Sequence, residues 1–78
     1  MSAIEADVVV DSRGSTCPGP LMDLIGKIKS VDSGTVIELQ TSDEGSKDDV
    51  PEWLNKAGHE LVETVDEGDY YSIFVKKS

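Results

Sequence analysis

The sequence predicts an α+β fold, a two-layer α/β sandwich in which two helices cover one face of a four-stranded mixed sheet. Two stretches with helical spacing of apolar residues alternate with four short strand-like runs, in the order β-α-β-α-β-β. A chain of 78 residues has the size of one small domain, and no repeat, low-complexity tract or linker divides it. We therefore expect residues 1–78 to form a single domain.

The first half of the chain predicts a strand–helix–strand unit. Residues 7–11 form a short β-branched run and predict the first strand. A helix is expected from Pro18 to about Ser30, because apolar residues recur there at helical spacing: Leu21, Leu24, Ile25 and Ile28. After a turn at residues 32–34, residues 35–40 predict the second strand. A right-handed crossover in this unit places both helices on the same side of the sheet.

The second half predicts a helix followed by a hairpin. Residues 41–47 are polar and rich in turn formers, so we expect a mobile loop there. Asp48 or Asp49 is expected to cap the second helix, with Pro51 in its first turn and Gly58 just past its end. The apolar stripe of this helix consists of Val50, Trp53, Leu54 and Ala57. Residues 61–65 and 70–75 flank a polar turn at residues 66–69 and predict the hairpin.

Composition excludes several classes of function. Sixteen acidic against seven basic residues give a formal net charge of −9, which opposes direct binding to nucleic acid or to anionic membranes. One cysteine and one histidine are too few for a four-ligand zinc site within one chain, so we expect no structural metal. We also expect no other cofactor. The first residues lack the basic and apolar pattern of a signal peptide, which favours a cytoplasmic location.

Cys17 is the best candidate for chemistry. It is the chain's only cysteine and lies in the run Cys-Pro-Gly-Pro at the predicted strand–helix junction. Unpaired N–H groups and the positive end of the helix dipole favour its thiolate form. Pro18 and Pro20 stiffen the segment, and Gly19 permits close approach of another molecule, so we expect a rigid, exposed site. The absence of a second cysteine opposes a dithiol oxidoreductase.

Arg13 and Gly14, which precede the cysteine in sequence, have candidate positioning roles. Arg13 is the basic residue nearest to Cys17 in sequence. Its guanidinium either supports the thiolate or an anionic sulfur species, or forms a salt bridge with Asp11 or another acid of the sheet. Gly14 is expected to supply an unusual dihedral angle in the turn.

The Cys17-Pro18-Gly19-Pro20 run, with Asp11, Arg13 and Gly14 upstream, resembles the motif of the TusA/SirA-like family of small sulfur carriers. The resemblance implies a two-layer α/β sandwich whose motif cysteine carries sulfur as a persulfide, a role that falls on Cys17. It also implies two kinds of partner: a sulfur donor, either a desulfurase or a rhodanese-like protein, and a DsrE/TusD-like sulfur acceptor. Both tRNA thiolation and dissimilatory sulfur metabolism fit these partners.

Three functions remain open from the sequence. The leading one is a monomeric sulfur carrier that holds a persulfide or thiosulfonate on Cys17 and depends on other proteins for loading and unloading. The second is a regulatory or binding module whose docking to a partner is tuned by oxidation of Cys17. The third is a small enzyme that turns over free thiosulfate, although a chain of this length leaves little room for a substrate pocket.

Overall fold

Four strands and two helices follow one another in the predicted order. The computed structural model describes residues 6–15 and 19–78. The elements are β1 (Val8–Asp11), α1 (Gly19–Ser30), β2 (Val36–Thr41), α2 (Glu44–Ala57), β3 (Glu60–Asp66) and β4 (Tyr71–Lys76). In the described part of the chain, no helix is long and apolar enough to cross a membrane.

The strands form one mixed sheet in the spatial order β1-β2-β4-β3. β1 runs parallel to β2, whereas β4 is antiparallel to both of its neighbours. Ile37 lies opposite Val75, and Leu39 lies opposite Ile73. Because side chains alternate across a strand, these four residues project from the same face of the sheet.

The core lies between that face and both helices. Its buried members are Leu24 and Ile28 from α1, Val50 and Leu54 from α2, and Ile37, Leu39, Ile73 and Val75 from the sheet. Each is at most 3% exposed, and full burial of one such side chain contributes about 1.5–3 kcal/mol. The shared core confirms the predicted two-layer α+β sandwich with two helices on one face.

Helix α2 begins earlier than the sequence pattern predicts. The predicted mobile loop at residues 41–47 is wrong, because Thr41 ends β2 and Glu44 already begins the helix. The polar residues of this first turn have partners within the fold. The Tyr71 hydroxyl donates to the Glu44 carboxylate at 3.2 Å, and the buried Ser46 hydroxyl donates to Asp43 at 3.1 Å. Tertiary contacts therefore order a segment whose composition is typical of a loop.

The early start changes the roles of three predicted helix residues. Asp48 and Asp49 lie inside α2 and do not cap it, since Asp43 occupies the N-cap position. Pro51 lies in the helix interior, where it cannot donate the usual hydrogen bond to the carbonyl four residues earlier.

At the end of α2, Ala57, predicted in the apolar stripe, is exposed at the last turn. Gly58 ends the helix as predicted, with φ of 83° and its N–H bonded to the Leu54 carbonyl.

The predicted hairpin is confirmed, and its outer strand β3 forms one edge of the sheet. A bulge interrupts the pairing of β3 with β4 between Leu61 and Glu63. Leu61 and Val62 are more than a third exposed at this edge. The bulge and the acidic side chains of Glu60 and Glu63 are features that discourage pairing with a further strand.

The last residues of the chain are fixed at the end of the sheet where β2 begins. Lys77 donates its backbone N–H to the Thr35 carbonyl at 3.0 Å and accepts one from Gly34 at 2.6 Å. The Ser78 N–H donates to Nδ1 of His59 at 3.3 Å, and its hydroxyl donates to the Gly58 carbonyl. These bonds join the segment after β4 to the turns that precede β2 and β3.

Two glycines provide opposite tests of this fold. We expect Gly58→Ala to lower the free energy of unfolding by about 1–2 kcal/mol, because alanine is strained at the positive φ of that position. Gly26→Ala should raise it by about 0.5–1 kcal/mol, since Gly26 is exposed inside α1 and an added Cβ meets nothing within 4 Å. Urea denaturation of both variants measures the two changes. Equal effects of the two substitutions would contradict the positive φ of Gly58 and the helical conformation of Gly26.

Candidate functional site at the carboxyl ends of β1 and β2

The last described residues before Cys17 and Pro18 lie beyond the carboxyl end of β1. β1 ends at Asp11 and α1 begins at Gly19, so the connection between them follows the carboxyl end of β1. Since β2 runs parallel to β1, its own carboxyl end at Thr41 lies at the same side of the sheet. We call this region, with residues 12–15, Gly19 and Ser42, the carboxyl edge. Open sheets that pair parallel strands commonly place functional groups at such an edge.

Cys17 and Pro18 lie outside the residues that the structure describes, together with Thr16. The residues on either side of them are described. A Cβ atom built on Gly19 would lie 3.4 Å from the Cβ atom of Ser15. The two described ends of the connection therefore approach each other closely, on either side of residues 16–18.

Ser12 is an internal anchor of the carboxyl edge. Its side chain is almost fully buried, and its hydroxyl donates to Oδ2 of Asp23 in α1 at 2.6 Å. Its backbone N–H donates to the Gln40 carbonyl at 2.8 Å, and its own carbonyl accepts the N–H of Ser15 at 3.2 Å. Ser12 thereby links β2, the turn after β1 and helix α1.

Arg13 forms a two-point salt bridge with Asp11. The Arg13 Nε and Nη2 atoms donate to the two Asp11 carboxylate oxygens, each at 2.9 Å, and the Arg13 backbone N–H donates to the same carboxylate at 3.1 Å. The side-chain hydrogen bonds from Arg13, followed by that backbone bond, lower the pKa of Asp11 to about 2. The same partnership raises the pKa of Arg13. Of the two predicted roles for Arg13, the structure shows the salt bridge to Asp11.

The Arg13 side chain also reaches the hairpin between β3 and β4. Its guanidinium carbon lies 5.3 Å from the centre of the Tyr70 ring, within the distance of a cation–π contact. Both side chains of the ion pair remain about half exposed. Arg13 thus connects the turn after β1 with the turn before β4 at the surface of the carboxyl edge.

Gly14 has the unusual dihedral angle that the sequence predicts. Its φ is 88°, a conformation that disfavours residues with a Cβ atom. An added Cβ would meet nothing within 4 Å, so backbone conformation, and not space, requires glycine at this position. The Gly14 N–H donates to the hydroxyl oxygen of Ser42 at 3.0 Å. The loop after β2 is therefore bonded directly to the turn that precedes Cys17 in sequence.

Pro20 differs from the expectation of an exposed motif. It lies in the first turn of α1, where its missing N–H leaves no helical hydrogen bond unmade, and it is fully buried. With Leu24 and Ile28 it forms a stripe spaced by one helical turn. Pro20 thus anchors the beginning of α1 in the core, and the expected exposure of the whole motif is wrong at this residue.

Three contributors to the carboxyl edge escape a reading of the sequence alone. Asp23 follows the Cys-Pro-Gly-Pro run by three residues, whereas Ser42 and Tyr70 are distant from it in sequence. All three contact residues between β1 and that run. Asp23 stands apart from the apolar stripe of α1, which is a signal only that it faces away from the core. Nothing local marks Ser42 or Tyr70, because their roles depend on the packing of β2 and β4.

A shallow cleft of about 210 Å³ lies between the two helices. Its lining residues are Leu21, Asp49, Glu52, Trp53 and Lys56. None of the motif residues that the structure describes lines this cleft.

Comparison with known proteins gives the same family along nearly the whole chain. The family model described as "Sulfurtransferase TusA" matches residues 8–77. A relative in Archaeoglobus fulgidus, named "Putative sulfur carrier protein", is 60% identical over 70 residues, which cover 90% of this chain and 96% of the relative. "Sulfur carrier protein TusA" of Pseudomonas aeruginosa is 31% identical over 71 residues, which cover 91% and 90% of the two chains.

A solved structure shows the same fold. The SirA-like protein of Desulfitobacterium hafniense superposes with a TM-score of 0.79 at 14% identity, over 88% of this chain and 95% of that chain. The architecture is therefore that of the SirA-like class of small two-layer α+β domains. With the match over residues 8–77, the chain belongs to the TusA family of sulfur carriers.

The salt bridge between Asp11 and Arg13 predicts how the Asp11 carboxyl group titrates in acid. Arg13→Ala should raise the pKa of Asp11 from about 2 part of the way to its ordinary 3.8, because the backbone N–H of residue 13 still donates to the carboxylate. The folded pKa is depressed, so the stabilisation from this pair is present above pH 3.8 and is lost as the pH falls through about 2. Carbon NMR of the Asp11 carboxyl group across the acidic range measures the midpoint.

Lys56→Gln is the matched control for this titration. Lys56 belongs to a different surface pair, with Glu52 at 3.2 Å, and its removal deletes one positive charge from the chain. We expect no change in the Asp11 midpoint in this variant. An equal rise in both variants would show that net charge, and not the salt bridge, sets the pKa of Asp11.

Proposed function

We propose that this chain is a sulfur carrier in which Cys17 accepts a sulfur atom from a donor protein and passes it to an acceptor protein. One observation carries the proposal: the chain's only cysteine stands two positions before the first residue of α1, at the start of the Cys-Pro-Gly-Pro run, in a member of the TusA family. The relatives named as sulfur carrier proteins support the same role. Residues 1–78 act in this role as one domain.

The transfer itself is thiolate chemistry. The Cys17 thiolate attacks the outer sulfur of a donor persulfide, a bond forms between the two sulfurs, and the donor cysteine leaves as a thiolate. Cys17 then carries the persulfide, and the pH determines whether its outer sulfur is protonated. The thiolate of an acceptor protein repeats the attack and regenerates the Cys17 thiolate. No external oxidant or reductant enters either step.

A single cysteine suits a carrier. A neighbouring thiol in the same chain would attack the persulfide, form a disulfide and release the sulfur as sulfide. This chain has no second thiol to do so. The stored sulfur therefore leaves when a thiol from another molecule reaches it. Loading with tetrathionate instead would leave a thiosulfonate on Cys17: the thiolate attacks one of the two inner sulfurs, the central sulfur–sulfur bond breaks, and thiosulfate leaves.

The charges of the carboxyl edge assign different tasks to the helix and to Arg13. Cys17 stands two positions before the first residue of α1, whose leading N–H groups lack helical partners and favour a nearby thiolate. The Arg13 charge is compensated by the two-point bridge to Asp11. We assign Arg13 and Gly14 to holding the turn, Gly19 to close approach of a partner, and Pro18 and Pro20 to stiffening the segment.

The partners follow from the same role. We propose a desulfurase or rhodanese-like protein as the donor and a DsrE/TusD-like protein as the acceptor, with the chain acting as a monomer in the cytoplasm. The acceptor leads either to tRNA thiolation or to dissimilatory sulfur metabolism. The formal net charge of −9 favours protein partners over direct contact with nucleic acid.

Loading with sulfur tests the proposal directly. After incubation with glutathione persulfide, mass spectrometry of the intact chain should show the added mass of one sulfur atom, located on Cys17 by peptide mapping. Cys17→Ser should gain nothing, because the serine hydroxyl does not attack the sulfur–sulfur bond under these conditions. Equal labelling of the two chains, or no label on the wild type, would refute the carrier role.

The ionisation of Cys17 gives a second prediction. We expect the pKa of the Cys17 thiol to lie below its ordinary value in the folded chain, because the beginning of α1 favours the thiolate. The pH dependence of iodoacetamide alkylation should therefore have a lower midpoint in the folded protein than in the same protein in concentrated urea. If the alkylation midpoint of the folded protein is equal to or higher than that of the unfolded protein, α1 does not stabilise the Cys17 thiolate.

A further inference from the structure

We propose that Ser12 and Asp23 form a positioning pair that fixes the segment carrying Cys17 for sulfur transfer between proteins, an inference that rests on the proposed function. The Ser12 hydroxyl donates to Oδ2 of Asp23 at 2.6 Å. Hydrogen bonds of this length from a hydroxyl to a carboxylate are among the stronger ones in proteins. Neither residue belongs to the Cys-Pro-Gly-Pro run.

Ser12 itself is held firmly. Its side chain is 2% exposed, and its N–H donates to the Gln40 carbonyl of β2 at 2.8 Å. A hydroxyl in this position needs a partner within the fold, and Asp23 provides it. Asp23, in contrast, is an exposed residue of α1. Its carboxylate would otherwise be solvated, so the bond draws an exposed helical side chain to the end of β1.

The pair closes the segment that contains the cysteine. Ser12 and Asp23 stand 11 positions apart, and Cys17 lies near the middle of the interval. The bond fixes the end of β1 relative to the beginning of α1. Within the interval, the Ser15 N–H donates to the Ser12 carbonyl, and Ser15 approaches Gly19. Both described ends of the segment are thus held at defined positions.

Such restraint matters more for transfer between proteins than for reaction with a small molecule. Two protein-bound sulfurs must meet in line while both surfaces are docked, and small misplacements of reacting groups are costly. Glutathione persulfide can instead approach Cys17 from many directions. A positioning pair should therefore affect the protein donor selectively, whereas a purely structural bond should affect only the free energy of unfolding.

The experiment compares five variants with the wild type, four at the pair and one as a control. Asp23→Ala and Ser12→Ala each remove the bond, their combination removes both partners, and Asp23→Asn retains an acceptor oxygen without the charge. Asp48→Ala is the matched control, because it removes an exposed aspartate from α2, away from Ser12. For each chain, sulfur transfer to Cys17 is timed from persulfide-loaded rhodanese and, separately, from glutathione persulfide. Urea denaturation establishes that each variant is folded at the assay temperature.

We expect Asp23→Ala and Ser12→Ala each to slow transfer from rhodanese by about fivefold to tenfold, the effect of one lost hydrogen bond. The double variant should be no slower than either single one, since the two residues act through the same bond. Asp23→Asn and Asp48→Ala should remain within about twofold of the wild type. Transfer from glutathione persulfide should stay within about twofold in every variant.

Three outcomes would overturn the pair: wild-type transfer from rhodanese in folded Asp23→Ala, multiplied effects in the double variant, or an Asp23→Asn chain as slow as Asp23→Ala. If the wild type accepts no sulfur from either donor, the carrier role fails, and amide hydrogen exchange still decides the pair. The amides of Gly14 and Ser15 should then exchange faster in Asp23→Ala than in Asp48→Ala. Unchanged exchange would refute the positioning role independently of sulfur chemistry.

Discussion

The parallel pairing of β1 with β2 forces the chain to cross from one end of the sheet to the other between Asp11 and Val36. Helix α1 makes this crossing, and its packing on the sheet brings Leu24 and Ile28 into the core. The same pairing places the end of β1 beside the end of β2. The described residues before Cys17 in sequence, 12–15, therefore lie where the connection after β1, the loop after β2 and the turn before β4 meet.

Three polar contacts at that edge join separate parts of the fold, beside the local contacts of Arg13 with Asp11 and of Ser15 with Ser12. Ser12 reaches α1, Gly14 reaches the loop after β2, and Arg13 reaches the hairpin before β4. One hydrogen bond such as that from Ser12 to Asp23 contributes only about 0.5–1.5 kcal/mol. The main effect of these contacts on the site is to hold the turn after β1 in place from several directions. The proposed chemistry requires neither a pocket nor a metal.

The elements of this fold were predictable where hydrophobic spacing was regular. The apolar stripe of α1 and the alternation in β2 have the spacing of a helix and a strand, and the hairpin has turn-forming residues between two strand-like runs. The structure contains all three elements. The start of α2 was not predictable in this way, because Glu44 and Ser46 are ordered by contacts with Tyr71 and Asp43. Local composition favours a loop there, and tertiary packing overrides it.

The candidate site shows the same division. Gly14 was predictable because its role depends on its own backbone, and one of the two roles weighed for Arg13 needs only Asp11, two positions away. Asp23 and Ser42 were not, since their contributions depend on the relative placement of elements that the sequence does not reveal. Pro20 combines both cases: its place in the first helical turn follows from the sequence, whereas its burial follows from the docking of α1 on the sheet.

The hydrogen bonds of Lys77 and Ser78 hold these residues at the end of the sheet opposite the carboxyl edge. Lys76 lies opposite Val36 at the start of β2, whereas the carboxyl edge lies beyond Thr41 at its end. The last residue of this sequence therefore stands at the opposite end of the sheet from the turn that leads to Cys17. A fluorophore, an affinity handle or a solid support attached near Ser78 would leave the carboxyl edge open, so a chain immobilised by this end of the sheet could capture proteins that exchange sulfur with it.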